Sequence, residues 1–290
     1  MPESLTAPRA RQAEAFAALS GVARSRQRQV DDAGSPPPRF ILEAAQSMAE
    51  HMAAPQERMA SSRAQMAFWQ QHMPSAIGAT TWNFEAVREA MPVSYQAVMA
   101  ALEPLEGRPQ LVSTVFHMAA FPLVCTLIGA AWRQLHDGPL HLLMAARNLG
   151  WLRLGGNRWI LDHGHVIGTS AAGLRQLTAG LKDGSIKRLL ILPDGPHRPG
   201  PPGVRALHGV SETLGIKTAL LSRLHAMGIP VVPFTHEWND DALEITPRPM
   251  LDPAILDETQ TIDAVVTYIE DLLGRRPEQW LNWNAARLRT

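Results

Sequence analysis

Residues 111–135 read LVSTVFHMAAFPLVCTLIGAAWRQL and contain one histidine, His117, near their start. The first residues mix β-branched and aromatic side chains, a composition typical of a buried strand. From Met118 onward, apolar residues recur at spacings of three and four with small residues between them, which predicts a helix packed on a sheet. The stretch therefore predicts strand, histidine, helix, with His117 at the carboxyl end of the strand. In open α/β sheets this is the edge where ligands bind.

The position of His117 allows two interpretations. A histidine in an apolar stretch is more often a hydrogen-bonded core residue than a catalyst, because the imidazole has a donor and an acceptor to satisfy. A histidine at the carboxyl end of a strand is also well placed to act as a general base. The segments further along the chain bear on this choice.

Composition narrows the class of protein. The chain has 290 residues, enough for one large α/β domain or two small ones. Its 27 Lys+Arg and 27 Asp+Glu leave no net charge, so no basic field argues for nucleic acid as a partner. The single cysteine, Cys125, rules out an internal disulfide, and its apolar neighbours disfavour a nucleophilic thiolate. A reducing, cytoplasmic compartment is expected.

Hydropathy favours a protein without a membrane span. Residues 1–29 contain no apolar run of the length that a signal peptide or an anchor needs. Residues 111–132 carry no charge and have about the length of a bilayer span. Polar side chains and Pro122 interrupt them, so a buried strand and a buried helix explain them more simply. We expect a soluble, cytoplasmic protein, and peripheral contact with the inner face of the membrane stays open.

Three regions follow one another along the chain. Residues 1–39 are polar, contain the run GSPPP at 34–38, and predict a flexible tail. Residues 40–105 predict a helical region packed on the core. Its methionines at helical spacing form either packing surface or an adaptable surface for an acyl chain. Residues 106–290 form the main domain.

Strand and helix patterns alternate through the main domain. Apolar runs predict strands at residues 140–146, 159–161, 187–192 and 229–234, and an edge strand at residues 243–245. Helical spacing predicts helices at residues 169–181, 211–227 and 257–274. This alternation predicts the α/β class, with a largely parallel central sheet flanked by helices.

Three segments together resemble the glycerolipid acyltransferase superfamily, and most closely the bacterial lipid A biosynthesis (lauroyl/myristoyl) acyltransferases. Residues 192–198, LPDGPHR, are similar to its third block, in which Pro-Glu-Gly-Thr-Arg follows an apolar residue. Residues 228–233, GIPVVP, are similar to its fourth block, an apolar strand that ends in proline. Residues 277–283, PEQWLNW, are similar to the C-terminal segment of the lipid A branch. The resemblance covers roughly residues 105–289.

The resemblance implies an activity and a base. It implies transfer of a fatty acyl group from an acyl-carrier-protein or coenzyme A thioester to a hydroxyl or amine acceptor, which is a lipid or a small molecule. In the family a histidine is the general base, and an acid five residues later orients it. Here His117 stands at the position of the base and Pro122 at the position of the acid. We expect no cofactor and no metal.

The proline leaves three explanations open. Another carboxylate orients His117, with Asp194 the first candidate because it also ends a strand, and Glu237, beside His236, a distant one. A main-chain carbonyl or a hydroxyl takes that role instead. Alternatively the site has lost acyl transfer, and the protein is a non-catalytic accessory that binds an acyl carrier or a partner enzyme. A thioester hydrolase, with water as the acceptor, is a further alternative.

Other residues near these segments are also candidates. By resemblance to the third block, Asp194 and Arg198 line the acceptor site, and the Arg198 guanidinium holds a phosphate or carboxylate. Gly195 and His197 lie between them in the sequence and are candidate substrate contacts by adjacency. The alternative is an ordinary Asp-Gly turn followed by a solvated arginine.

The pair His163 and His165 resembles half of a zinc site if the segment is extended. No cysteine or acidic cluster completes it, so a metal site is not predicted.

Overall fold

The structure is a computed structural model that describes residues 84–118, 121–144, 164–208, 210–239, 242–280 and 282–283. The predicted tail over residues 1–39 lies outside these residues. So do the predicted helical region up to residue 83 and the predicted strand over residues 159–161.

The described residues form helices and strands that alternate along most of the chain. The α-helices are α1 (Phe84–Ala90), α2 (Pro92–Leu102), α3 (Phe121–Leu135), α4 (Ala171–Lys182), α5 (Ala219–Ala226) and α6 (Glu258–Arg275). The strands are β1 (Leu111–Val115), β2 (Leu140–Met144), β3 (Gly164–Gly168), β4 (Arg188–Ile191), β5 (Pro196–His197), β6 (Val204–Leu207), β7 (Ser211–Lys217), β8 (Val231–Asn239) and β9 (Ala242–Pro247). Short 3₁₀ helices span Glu103–Leu105 and Pro277–Gln279.

The main sheet has the strand order β3-β2-β4-β1-β8-β9, so β1 lies in its interior. Its strands pair in parallel except β9, which runs antiparallel to β8 at the edge. This arrangement confirms the predicted α/β class, the largely parallel sheet and the edge strand near residue 243. None of the helices in the described ranges is long and apolar enough to cross a bilayer.

Strand β1 contributes to the core on both faces of the sheet. Leu111 and Val115 pack in one cluster with residues of α1, α2 and α3, while Val112 and Phe116 pack in a second cluster with residues of α4, α5 and α6. Alternate side chains of a strand point to opposite faces, so a strand covered on both faces reads as a continuous apolar run. This burial explains why the first half of the quoted stretch shows no alternation.

Helix α3 begins three residues later than its pattern predicts, at Phe121. Pro122 is its second residue, a position where proline is favoured because the first helical N–H groups have no acceptor within the helix. All residues from Phe121 to Trp132 are buried. Pro122, at the position where the family that the sequence resembles has an acid, therefore lies in the first turn of a buried helix.

The predicted helix over residues 211–227 is wrong in its first half. Residues Ser211–Lys217 form β7, the central strand of a second, antiparallel sheet of order β5-β7-β6, and only Ala219–Ala226 are helical. The side chains of Leu214 and Ile216 are fully buried and that of Lys217 is exposed. This burial pattern fits the two-residue period of a strand better than the period of a helix. Gly215 lets β6 approach, because a Cβ there would lie 2.7 Å from the main-chain oxygen of Arg205.

Two helical glycines test the close contact between α4 and β3. A Cβ on Gly173 would overlap the main-chain oxygen of Gly168, whereas a Cβ on Gly274 in α6 would meet no atom within 4 Å. We expect Gly173→Ala to lower the free energy of unfolding by about 1–3 kcal/mol, because the main chain has to move. Gly274→Ala should leave it unchanged or raise it by up to about 1 kcal/mol through helix propensity. Denaturant unfolding measures both, and equal stabilities would contradict the packing described.

Candidate functional site

His117 and Asp194 leave the sheet at the same edge. Strands β1 and β4 are parallel neighbours, with Thr114 paired to Ile191. His117 follows the end of β1 by two residues, and Asp194 follows the end of β4 by three. Because the carboxyl ends of parallel neighbours meet at one edge, both side chains reach the same place, as the sequence predicts for Asp194.

The two side chains form a hydrogen-bonded pair. Nδ1 of His117 lies 2.7 Å from Oδ1 of Asp194, and the main-chain N–H of His117 donates to Oδ2 of Asp194 at 2.7 Å. Asp194 is completely buried, whereas 19% of the His117 side-chain surface is exposed. An ionised carboxylate only accepts hydrogen bonds, so Nδ1 carries the ring proton and Nε2 of the neutral ring keeps a lone pair. This is the tautomer that a general base needs.

The segment that follows α6 completes the surroundings of Asp194. The indole N–H of Trp280 donates to Oδ2 of Asp194 at 2.8 Å, and the Asn282 amide donates to the main-chain oxygen of Asp194 at 3.0 Å. Gln279 holds this segment against β8, because its amide exchanges two hydrogen bonds of 2.9 Å with the main chain of Trp238. The Asp194 carboxylate therefore receives three N–H groups.

These donors keep Asp194 ionised although it is buried. Burial alone raises the pKa of a carboxyl group. In Asp194 it is outweighed by the charge of protonated His117 and by the hydrogen bonds from His117 and Trp280, so the pKa of Asp194 lies below its ordinary value. The carboxylate is thus available to orient the imidazole of His117 and to stabilise its protonated form.

A second imidazole, that of His236 on β8, lies close to this pair. It is 2% exposed, and burial lowers its pKa to about 4, while the charges of Asp194 and His117 act on it in opposite directions. The adjacent Glu237 forms an ion pair with Arg275 at 2.6 Å. Among the described residues, Asp194 rather than Glu237 is therefore the carboxylate that contacts His117.

The rest of the third-block segment follows Asp194 along the chain. Gly195 links Asp194 to β5, and His197 pairs with Gly215 of β7 in the second sheet. Arg198 follows β5 and is exposed. Among the described residues it has no ion pair or side-chain hydrogen bond with His117 or Asp194.

The remaining candidates lie elsewhere. His165 faces His141 across β2 and β3, with ring centroids 5.3 Å apart, near the amino ends of these strands and so at the edge opposite the pair. His163 lies outside the described residues. In the part of the chain that is described, no three His, Cys, Asp or Glu side chains are grouped to hold a metal ion. Cys125 is buried in α3, and burial raises the pKa of its thiol.

Trp280 and Asn282 are the contributors that sequence reasoning missed. The sequence pattern favours packing or an interface as the role of Trp280. A buried indole, however, keeps an N–H that needs an acceptor. That requirement, in a segment already similar to a family block, is the signal that points to a polar role for Trp280.

Trp280 and Trp283 form a matched pair for measuring the bond to the carboxylate. Both are fully buried, with ring centroids 4.8 Å apart, and Trp283 donates to the neutral carbonyl of Pro277 at 2.7 Å. Phenylalanine at either position keeps an aromatic ring and removes the N–H. Beyond the packing loss that the smaller ring causes in both variants, we expect the free energy of unfolding at pH 7 to fall by about 1.5–3 kcal/mol for Trp280→Phe and by about 0.5–1.5 kcal/mol for Trp283→Phe.

The pH dependence of these losses separates the two tryptophans. The pKa of Asp194 is lower in the folded than in the unfolded chain, so its stabilising effect is complete above the unfolded value near 4 and is lost as pH falls through the folded value. The extra loss in Trp280→Phe should therefore shrink below about pH 4, while the loss in Trp283→Phe stays constant. Denaturant titrations at stepped pH measure this, and equal, pH-independent losses would contradict it.

Comparison with known proteins assigns no family to this site. No protein-family model and no curated protein matches the sequence. The function of the pair is therefore inferred from the atoms of the site and from the segments that resemble an acyltransferase.

Proposed function

We propose that this protein transfers a fatty acyl group from an acyl-carrier-protein or coenzyme A thioester to a hydroxyl or amine acceptor. The observation that carries the proposal is the 2.7 Å contact between Nδ1 of His117 and Oδ1 of Asp194. Through this contact Asp194 provides His117 with a carboxylate partner, which Pro122, five residues after His117, cannot provide. The three family-like segments supply the reaction class, and the pair supplies the base.

The chemistry that we propose needs no further reactant. Nε2 of His117 takes the proton of the acceptor as the acceptor oxygen or nitrogen attacks the thioester carbonyl. The new C–O or C–N bond forms a tetrahedral intermediate, which collapses as the C–S bond breaks. The imidazolium returns the proton to the leaving thiolate, so the products are an ester or amide and a free thiol. Asp194 holds the ring in the correct tautomer and stabilises the imidazolium.

The proposed partners follow from the same reaction. The donor is the acyl-carrier protein or coenzyme A thioester, and the acceptor is a lipid or a small molecule. The exposed guanidinium of Arg198, four residues after Asp194, is the proposed anchor for a phosphate or carboxylate of the acceptor. A cytoplasmic location at the inner face of the membrane would give the site access to a lipid acceptor.

Single-turnover acyl transfer tests the proposal. The native protein is mixed with a panel of acyl-carrier-protein and coenzyme A thioesters, with and without a membrane extract as the source of acceptor, and intact mass spectrometry follows the acyl group. We expect His117→Ala to react at least about 10²-fold more slowly, the usual scale of a general base. Asp194→Asn should lose on the order of 10²–10⁴, because the ring takes the wrong tautomer. His208→Ala, which removes an exposed histidine, is the control and should react like the native protein.

The same assay separates the alternatives. Release of free fatty acid at an equal rate with and without acceptor would replace acyl transfer by thioester hydrolysis. A native protein that is inert toward every donor would contradict the enzyme and favour an accessory binding protein. Equal rates for the native protein and His117→Ala would remove His117 as the base.

A further inference from the structure

His236 stands level with His117 on the neighbouring strand. Strands β1 and β8 are parallel, and their last matched residues are Val115 and Phe234. His236 lies within β8 two residues after Phe234 and so on the same face as Phe234, and His117 lies two residues beyond the end of β1. Val115 and Phe234 pack in the same core cluster. With parallel strands about 4.8 Å apart, the imidazole of His236 lies beside the pair of His117 and Asp194.

The ring nitrogens of His236 have no hydrogen-bond partner among the described residues. Both are buried, and the residue as a whole is 2% exposed. The main chain of Met118 lies near the ring and favours its protonated form, but it does not meet hydrogen-bond geometry with either nitrogen. A buried polar group without a partner costs about 1–3 kcal/mol. Native interiors rarely retain such a group without a reason, and functional sites are one of the reasons.

We propose that His236 is a catalytic residue whose ring N–H binds the carbonyl oxygen of the acyl thioester while His117 accepts the proton of the acceptor. The inference rests on the acyl transfer proposed above. As the acceptor attacks, negative charge develops on the carbonyl oxygen, and a donor that the fold holds in place stabilises this charge. A neutral imidazole is suited to this because it donates a hydrogen bond without giving up its proton.

The protonation state of His236 fits this role. Burial lowers its pKa to about 4, so at neutral pH the ring is uncharged and has one N–H and one lone pair. A general base is a poorer assignment. A base is oriented by an acceptor on its other ring nitrogen, which His117 has in Asp194 and which His236 lacks among the described residues.

Two substitutions of His236 separate donation from packing. Leucine fills a similar volume without an N–H, and glutamine is a polar side chain that retains N–H donors. We expect His236→Leu to lower kcat by about 10²–10³, the usual effect of removing one such donor, with KM changed by less than about threefold. The kcat of His236→Gln should be at least about tenfold higher than that of His236→Leu. Thermal unfolding of all three proteins shows whether each variant is folded.

A pair of donor analogues gives a readout that does not depend on turnover. In the ketone analogue of an acyl-coenzyme A, a methylene group replaces the sulfur and the carbonyl remains, whereas the S-alkyl thioether has no carbonyl. In the native protein labelled with ¹⁵N at histidine, the ketone should shift the His236 ring resonances and the thioether should not. The thioether is the control for shifts caused by binding of the alkyl chain and the coenzyme A nucleotide without a carbonyl group.

The outcomes distinguish this inference from the proposed function. If the native protein transfers acyl groups and folded His236→Leu does so equally fast, His236 is not the donor and the acyl transfer stands. If the two analogues shift the His236 resonances equally, contact with the carbonyl is likewise ruled out. If the native protein is inert toward every donor and binds neither analogue, both proposals fall. Selective loss in His236→Leu, with the carbonyl-dependent shift, supports the assignment.

Discussion

A fully buried carboxylate has to be matched by donors that the fold brings to it, and Asp194 is the carboxylate on which this site depends. Its oxygens accept from the main chain and ring of His117 and from the indole of Trp280, which lie 77 and 86 residues away along the chain. The carboxylate therefore ties the end of β4 to the end of β1 and to the segment after α6. Removing any one donor leaves a buried charge with less compensation, so the three segments depend on one another.

The acid partner of His117 comes from the adjacent strand and not from the helix that follows the histidine. Pro122 occupies the first turn of α3, a position where proline favours the start of a helix. It has no carboxylate to offer His117. Because β4 runs parallel to β1, its end delivers Asp194 to the same edge. A base needs an acceptor at hydrogen-bond distance from Nδ1, and the chain position that supplies it is free to vary.

The elements with strong local patterns could be predicted from the sequence. The apolar runs of β1, β4 and β8 and the amphipathic spacing of α6 reflect burial that adjacent residues share, so a short window reveals them. The location of His117 and Asp194 at one edge followed from the parallel class. The sequence pattern predicts a helix over β7, because the spacing of its own side chains does not reveal its pairing with β5 and with its hairpin neighbour β6. The bond from Trp280 to Asp194 spans 86 residues, and the unpaired nitrogens of His236 depend on three-dimensional packing, so no local pattern shows either.

The bond from Trp280 also relates the site to the order in which the chain is synthesised. His117 and Asp194 are made before Trp280, which follows Asp194 by 86 residues. Domains generally fold as units, with their earlier parts emerging from the ribosome first. While the segment after α6 is still inside the ribosome, Asp194 lacks one of its three N–H partners and the Asn282 bond to its main chain. Asp194 therefore gains its full set of donors only after α6 and the Trp280 segment have been translated and docked.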